Sequence, residues 1–241
     1  MNTLYKVLAR EGFACHGGYG KWYLPENGEP GKWMSVIENI KPCVRGYHLC
    51  NGETQLLAWL GETIYKAEYR GKIVQRMDKI VVSEARLLGQ CKHWTDRTAR
   101  LFAADCANRA LYIYERKYHY DKRPRNAIET ARMFAEGKAT KKEMIVAGDA
   151  ALFSSRCAGY DATIDASGNA VWSAVWFAAR NAAASAVKCT TTDAARSTAK
   201  NAIMAVSCDI ANDADSDRIV NVERKWQTTL LARIIRGEIY N

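Results

Sequence analysis

The chain has 241 residues, of which 48% are hydrophobic and 25% are charged, a balance typical of a folded globular protein. A chain of this length buries a sizeable core without disulfide staples. The formal net charge of +9 favours acidic partners, with nucleic acid as the first of them. The basic residues are mixed with acids along the whole chain, which argues against a basic tail or arm.

The expected compartment is reducing. The N-terminus carries no apolar signal segment, and no stretch is long enough to cross a bilayer. The eight cysteines are therefore expected to stay free rather than to form disulfides. We expect a cytoplasmic protein with no membrane association.

The N-terminal part is rich in glycine, aromatic residues and short strand-like runs. "TLYKVLA" predicts a first strand, the segment from Gly17 to Gly31 predicts loop and turn, and "ETQLLAWLG" predicts a short helix closed by Gly61. "TIYKAEYRG" alternates apolar and polar residues, as a half-buried strand does, and "DKIVVSEARLL" contains another strand.

The pattern becomes helical and rich in alanine after residue 90. "TDRTARLFAADCANRALYIYERKY" is a long helix candidate, and Thr140 with Glu143 has the spacing of a capping box. Further helices are predicted in "SGNAVWSAVWFAARNAAASAVK", which holds Trp172 and Trp176, in "TTDAARSTAKNAIMAVSCDIAND" and in "NVERKWQTTLLARIIRG". The predicted fold is α+β, with a small sheet-containing module over residues 1–90 and an alanine-rich helical bundle over residues 91–241.

The stretch "DKRPRNAIETARMFAEG" raises an electrostatic question. Pro124 suits the first turn of a helix and Gly137 suits its end. Lys122, Arg123 and Arg125 nevertheless stand at the N-terminal end, where the helix dipole repels cations. One explanation is an ion-pair network with Asp121, Glu115 and Glu129, in which Arg125 and Glu129 form an i,i+4 pair. The other is a site for an anion or for the acidic patch of a partner.

The same stretch resembles a helical family of immunity proteins that carries an Asp-x-Arg-Pro-Arg-x-Ala-Ile-Glu motif. The resemblance covers roughly residues 95–205 and implies binding of a partner protein. The matching residues are Asp121, Arg123, Pro124, Arg125, Ala127, Ile128 and Glu129.

The N-terminal part is similar to uncharacterised proteins of bacteriophages and prophages. The similarity rests on "HGGYGKWYLP", "PGKWM", "PCVRGYHLC" and "DKIVVSEARLL" and covers most of residues 1–135. It implies an origin in a phage or mobile element, and it brings no established activity.

One enzyme hypothesis uses His16, Tyr47 and Glu68. Some ADP-ribosyltransferases grip NAD with a His-Gly, a Tyr and a later Glu, and "CHGG", "GYHLC" and "KAEYRG" resemble these in order. The resemblance implies that His16 bonds the ribose, Tyr47 stacks on nicotinamide and Glu68 orients the nucleophile. The alternative is that His16 lies in a turn and that Tyr47 and Glu68 belong to ordinary strands.

The sequence also contains candidate residues for a zinc site and for a contact site built on tryptophans. Zinc has candidate ligands, but their spacing includes no CxxC pair; they are Cys43, His48, Cys50, Cys91 and His93. Trp22 and Trp33 have Lys21 and Lys32 nearby. Such aromatic residues either stack on bases or anchor a protein interface, or they cover the core of a small sheet.

The leading functional hypothesis is an accessory protein without cofactor, which binds a host or defence-system protein or nucleoprotein as an anti-defence or immunity-type inhibitor. Arg123, Arg125, Lys122, Trp22 and Trp33 are its candidate contact residues. An NAD-dependent ADP-ribosyltransferase-like enzyme and a direct nucleic-acid binder are the alternatives.

Overall fold

A computed structural model describes residues 3–164, 196, 199–203 and 216–240. The described residues form two compact units. The first contains the residues up to Thr95 together with Leu231–Ile239, and the second takes the described residues from Asp96 to Leu230 together with Tyr240. The predicted module boundary at residue 90 stays a prediction. The helix predicted around Trp172 and Trp176, and most of the one that follows it, lie outside the described residues.

Four antiparallel strands form a closed barrel in the order β1-β2-β4-β3. They are β1 (Leu4–Leu8), β2 (Tyr47–Asn51), β3 (Thr63–Gln75) and β4 (Ile80–Gln90). A 3₁₀ turn (Arg10–Gly12) follows β1, and helix α1 (Glu53–Trp59) connects β2 to β3. Leu8 pairs with Thr63 where β1 meets β3, and Tyr47 pairs with Val82 where β2 meets β4.

The barrel core is built from the apolar residues of these strands and of the loops that cover them. Leu8, Leu49, Val82 and Leu87 are buried in it, and Trp22 joins them from the loop after the 3₁₀ turn. The long loop of residues 13–46 is fastened to β4, because the backbone N–H groups of Gly31, Met34 and Ile37 donate to carbonyl groups of that strand. The loop of residues 13–46 thus packs on the sheet to which it is hydrogen-bonded.

The second unit is helical. Its helices are α2 (Asp96–Lys117), α3 (Arg123–Ala135), α4 (Lys141–Ile164) and α5 (Ser216–Ile235), the last of which ends among residues of the first unit. Alanines lie at the contacts and let the helices approach closely: Ala104 and Ala107 of α2 pack near Ile128 of α3. Ala127 and Ala131 of α3 pack with Met144 and Ala151 of α4.

The helix ends agree with the predicted signals. Pro124 lies in the first turn of α3, and Gly137 follows its end with a φ of 73°. The capping box forms, because Glu143 N–H donates to Thr140 Oγ1 (3.2 Å) and Thr140 N–H donates to Glu143 Oε2 (2.7 Å). The α+β fold class is confirmed. No helix in the described part of the chain has both the length and the apolar character needed to cross a bilayer.

Candidate functional site

The Asp121 corner, defined here as Asp121 with Tyr114 and Arg123, lies where α2 turns into α3. Asp121 accepts hydrogen bonds from the backbone N–H, Nε and Nη2 of Arg123 at 3.0, 2.8 and 2.7 Å. The hydroxyl of Tyr114 donates a fourth at 2.6 Å. The carboxylate therefore stands beside the N-terminus of α3, where it offsets the cation that follows it.

Arg125 pairs with Glu115, whereas the sequence predicted Glu129 as its i,i+4 partner. Its Nε and Nη2 donate to the two oxygens of Glu115 at 2.7 and 2.5 Å, which makes a bidentate pair across the α2–α3 corner. The expected i,i+4 partner, Glu129, is exposed and does not make this pair. Local spacing suggested Glu129, but the turn between the helices brings α2 closer to the guanidinium.

The ionisation of these carboxyl groups follows from their partners. Burial alone would raise the pKa of Asp121, but the hydrogen bonds from Arg123 and Tyr114 outweigh it and the pKa lies well below its usual range. The hydrogen bond from Arg125 lowers the pKa of Glu115. Both carboxylates are therefore charged at neutral pH, and the ion pairs are formed.

A shallow groove of about 350 Å³, the α3–α4 groove, lies beside this corner. Arg123 and Asn126 of α3 line one side, and Lys142, Glu143, Val146, Ala147 and Ala150 of α4 line the other. Val146 is 61% exposed there, and Phe153, further along α4, is 58% exposed. Lys122 and Lys142 are also exposed, so the groove offers apolar surface beside cations.

The first unit contains a larger cavity of about 490 Å³, the barrel cavity, lined by β1, β2 and the loops around them. It brings His16 and Tyr47 together, as the enzyme hypothesis requires. His16 Nε2 lies 2.8 Å from the carbonyl oxygen of Trp59, and the hydroxyl of Tyr47 donates to the carbonyl of Ser35 at 2.7 Å. Both polar tips are thus occupied by backbone groups.

Glu68, the third member of the proposed NAD constellation, is not among the residues lining the barrel cavity. It lies on β3 directly opposite Arg86 of β4 and forms an ion pair with it. Cross-strand pairs of opposite charge are ordinary sheet stabilisers. The order of the three residues in the sequence therefore does not bring them together in space, and we derive no catalytic step from them.

Lys6 is the cavity residue that sequence reasoning missed. It lies on the same face of β1 as Leu4 and Leu8, which pack into the core. Its Nζ donates to the carbonyl of His48 at 3.1 Å and lies 4.9 Å from the centre of the Trp22 ring. The signal was present, since a lysine on the apolar face of a strand is unusual, but only the covering loops show that a cavity adjoins it.

Trp22 is buried and Trp33 is half-buried. Trp22 is 5% exposed and meets Tyr47 edge-on, with 5.3 Å between ring centres. Trp33 is half-buried and stacks under Arg70 and Arg86, whose guanidinium carbons lie 4.3 and 4.8 Å from its ring centre. Trp22 belongs to the core and to one wall of the cavity, and contact of the two tryptophans with bases or a partner stays a prediction.

The five zinc candidates do not form a metal site. His48 Nε2 accepts the backbone N–H of Cys43 at 3.0 Å. Burial raises the pKa of Cys50 to about 12 and that of Cys91 to about 11, so both thiols stay protonated. The ring of His93 lies against Gly237. Within the described ranges, no three His, Cys, Asp or Glu side chains come together to hold a metal ion.

Comparison with known proteins identifies one family. The model of a family described as "Imm-5 like putative immunity protein" matches residues 89–233, which is more than half of the chain. No curated protein and no solved structure matches the chain.

Proposed function

We propose, from the premise that this chain belongs to the Imm-5 like putative immunity protein family, that it is an accessory protein of a phage or other mobile element. It binds a protein of the host or of a defence system and inhibits it. The family match supports the immunity-type part of this proposal, because it covers the region in which the Asp121 corner and the α3–α4 groove lie. The phage or mobile-element origin rests on the similarity of the N-terminal part alone.

The α3–α4 groove is the contact surface that we favour. Large exposed apolar residues such as Val146 and Phe153 are suited to anchor a partner, because their burial releases ordered water. Lys122, Lys142 and the overall charge of +9 favour a partner that presents carboxylates around an apolar side chain.

The arginines and the lysines of this region have different roles. Both guanidinium groups are already held by carboxylates of this chain, so they stabilise the α2–α3 corner. Arg123 also lines the groove, where its remaining exposed surface contacts a partner. Lys122 and Lys142, for which the described residues provide no ion pair, supply the steering charge.

The test is affinity capture from a bacterial lysate with three versions of the full chain. Val146→Asp puts a negative charge into the groove, and Val222→Asp makes the same change on α5 at a site of similar exposure, 55%. We expect the wild type and Val222→Asp to retain one stoichiometric partner, and Val146→Asp to lose it by about tenfold or more. Undiminished capture by a folded Val146→Asp contradicts this docking surface.

A further inference from the structure

We propose that the barrel cavity binds a nucleoside monophosphate or a ligand of the same chemistry, namely a phosphate joined to a flat ring system. Lys6 is the residue that receives the phosphate. This inference does not rest on the proposed function, since the family model begins at residue 89 and the cavity is formed by residues before it.

The charge of the cavity points to an anion. Lys6, Arg45 and Lys79 line it together with His16 and His48, and there is no Asp or Glu among the described residues that do so. Asp78 pairs with Lys79 at 3.3 Å, so one of the three cations is already partly neutralised. Two cations are left with no carboxylate partner within the described part of the chain.

Lys6 is the strongest of these features. Its ammonium has three hydrogens, and His48 provides one carbonyl acceptor. A cation withdrawn from water without a counter-charge is costly, and burial accordingly lowers the pKa of Lys6. A phosphate at this position supplies the missing negative charge and accepts the remaining hydrogens.

The walls of the cavity point to a flat ring. Trp22, Tyr47 and Trp59 contribute aromatic surface, and Met34 and Ile37 contribute apolar surface. Lys79 lies over the Trp59 ring at 4.4 Å and Lys6 lies over the Trp22 ring at 4.9 Å, so two of the cavity cations adjoin aromatic side chains. The volume of about 490 Å³ lies within the range of pockets that hold small molecules.

The arrangement favours binding over turnover. His48 Nε2 already accepts the N–H of Cys43, and the cavity lining has no carboxylate among its described residues. His16 Nε2 is also occupied, since it lies 2.8 Å from the carbonyl oxygen of Trp59, so the Nε2 atoms of both histidines already have backbone partners. The ligand is held, and no covalent step is part of the proposal.

Isothermal titration calorimetry tests the inference. The full-length protein is titrated separately with AMP, adenosine and ribose 5-phosphate. We expect AMP to bind at least about tenfold more tightly than adenosine, which lacks the charge, or ribose 5-phosphate, which lacks the ring. Lys6→Met is expected to weaken AMP binding by about tenfold or more. Lys72→Met, which removes an exposed lysine of β3, is the matched control and is expected to leave it unchanged.

The same titration is followed by amide chemical shifts of the wild-type protein, so that the result does not depend on a variant that folds. Shifts centred on Lys6 and Tyr47 support the site. The inference is overturned if AMP shifts residues elsewhere, if adenosine binds as well as AMP, if a folded Lys6→Met binds normally, or if AMP fails to bind at about 1 mM.

Discussion

Asp121 keeps its charge at the α2–α3 corner because four donors point at its two oxygens. Those donors also explain most of the Asp-x-Arg-Pro-Arg motif. Asp121 neutralises Arg123, Pro124 begins the helix, and Arg125 returns to Glu115. The sequence showed the unfavourable cations and the need for an offset. It did not identify Glu115 as the partner of Arg125, because that depends on the angle between two helices rather than on residue spacing.

Replacement of Asp121 by Asn tests the corner. The amide keeps the size of the side chain but loses the charge-assisted bonds, so we expect the free energy of unfolding to fall by about 1–3 kcal/mol. Urea unfolding followed by far-UV circular dichroism at neutral pH measures the loss. Glu129→Gln, at the exposed end of the same motif, is the control and is expected to change stability little.

The corner also predicts how stability responds to acid. The folded chain lowers the pKa of Asp121 below its ordinary 3.8 and that of Glu115 below 4.5. Such groups stabilise the folded state above their unfolded pKa values, and the contribution is lost as the pH falls through the folded values. The stability difference between wild type and Asp121→Asn should therefore be largest at neutral pH and shrink progressively below 3.8. A difference that stays constant down to about pH 2 would contradict this linkage.

At the scale of elements, the sequence pattern together with the turn and capping residues predicted β1, β3, β4, α1 and the main helices. The prediction for β3 stopped at Gly71, whereas the strand continues to Gln75. Gly71 lies at a register shift between Arg70 and Ile73, with a φ of 80°. A glycine was interpreted as the end of the strand, but here it forms a bulge within it.

Substitution of this glycine tests the bulge. A Cβ at Gly71 meets Ser83 Oγ at 2.4 Å, and Ser83 Oγ is fixed because it accepts the N–H of Lys72. Gly71→Ala is expected to destabilise the barrel by about 2 kcal/mol or more. Gly28→Ala shares the positive φ but has open space, so its cost should be about 1 kcal/mol. Equal thermal shifts for the two variants would show that Ser83 moves aside.

The sequence placed Tyr47 in a strand only as the alternative to the enzyme hypothesis, and it did not predict the extent of β2 or the closure of the barrel. Tyr47–Asn51 is short, and its partners β1 and β4 come from distant parts of the chain. The same is true of the barrel cavity. His16 and Tyr47 were proposed together and do line it, whereas Lys6 was overlooked and Glu68 lies on another part of the sheet. Contacts across loops depend on tertiary packing that no local pattern encodes.

At the scale of the whole molecule, the count of 35 lysine and arginine residues overstates the number of cations that are free to contact a partner. Many guanidinium groups are held by carboxylates of the same chain, among them Arg70 with Glu84 and Arg109 with Glu223. The basic composition suggested direct binding of nucleic acid, and that alternative stays a prediction. Pairing within the chain leaves fewer cations to contact phosphates directly, while the net charge of +9 is unchanged by it.

Nuclease treatment separates these alternatives. Capture of the partner from lysate is expected to survive digestion of DNA and RNA, because apolar contacts of the α3–α4 groove contribute to it. Binding to random duplex DNA, measured by filter retention, is expected to be weak and to fall steeply with added salt. If digestion abolishes capture and the protein binds DNA tightly, the result supports direct binding of nucleic acid and contradicts the proposed protein partner.

The first unit takes residues from two distant parts of the chain, with Leu231–Ile239 joining the residues up to Thr95. Leu231 and Ile234 are fully buried, and Gly237 lies against His93. On the ribosome, the barrel strands are made early, but this unit is complete only when translation reaches its last segment. Recombination that exchanges the segment between Thr95 and Leu231 must therefore preserve two splice points, since the first unit includes residues on both sides of it.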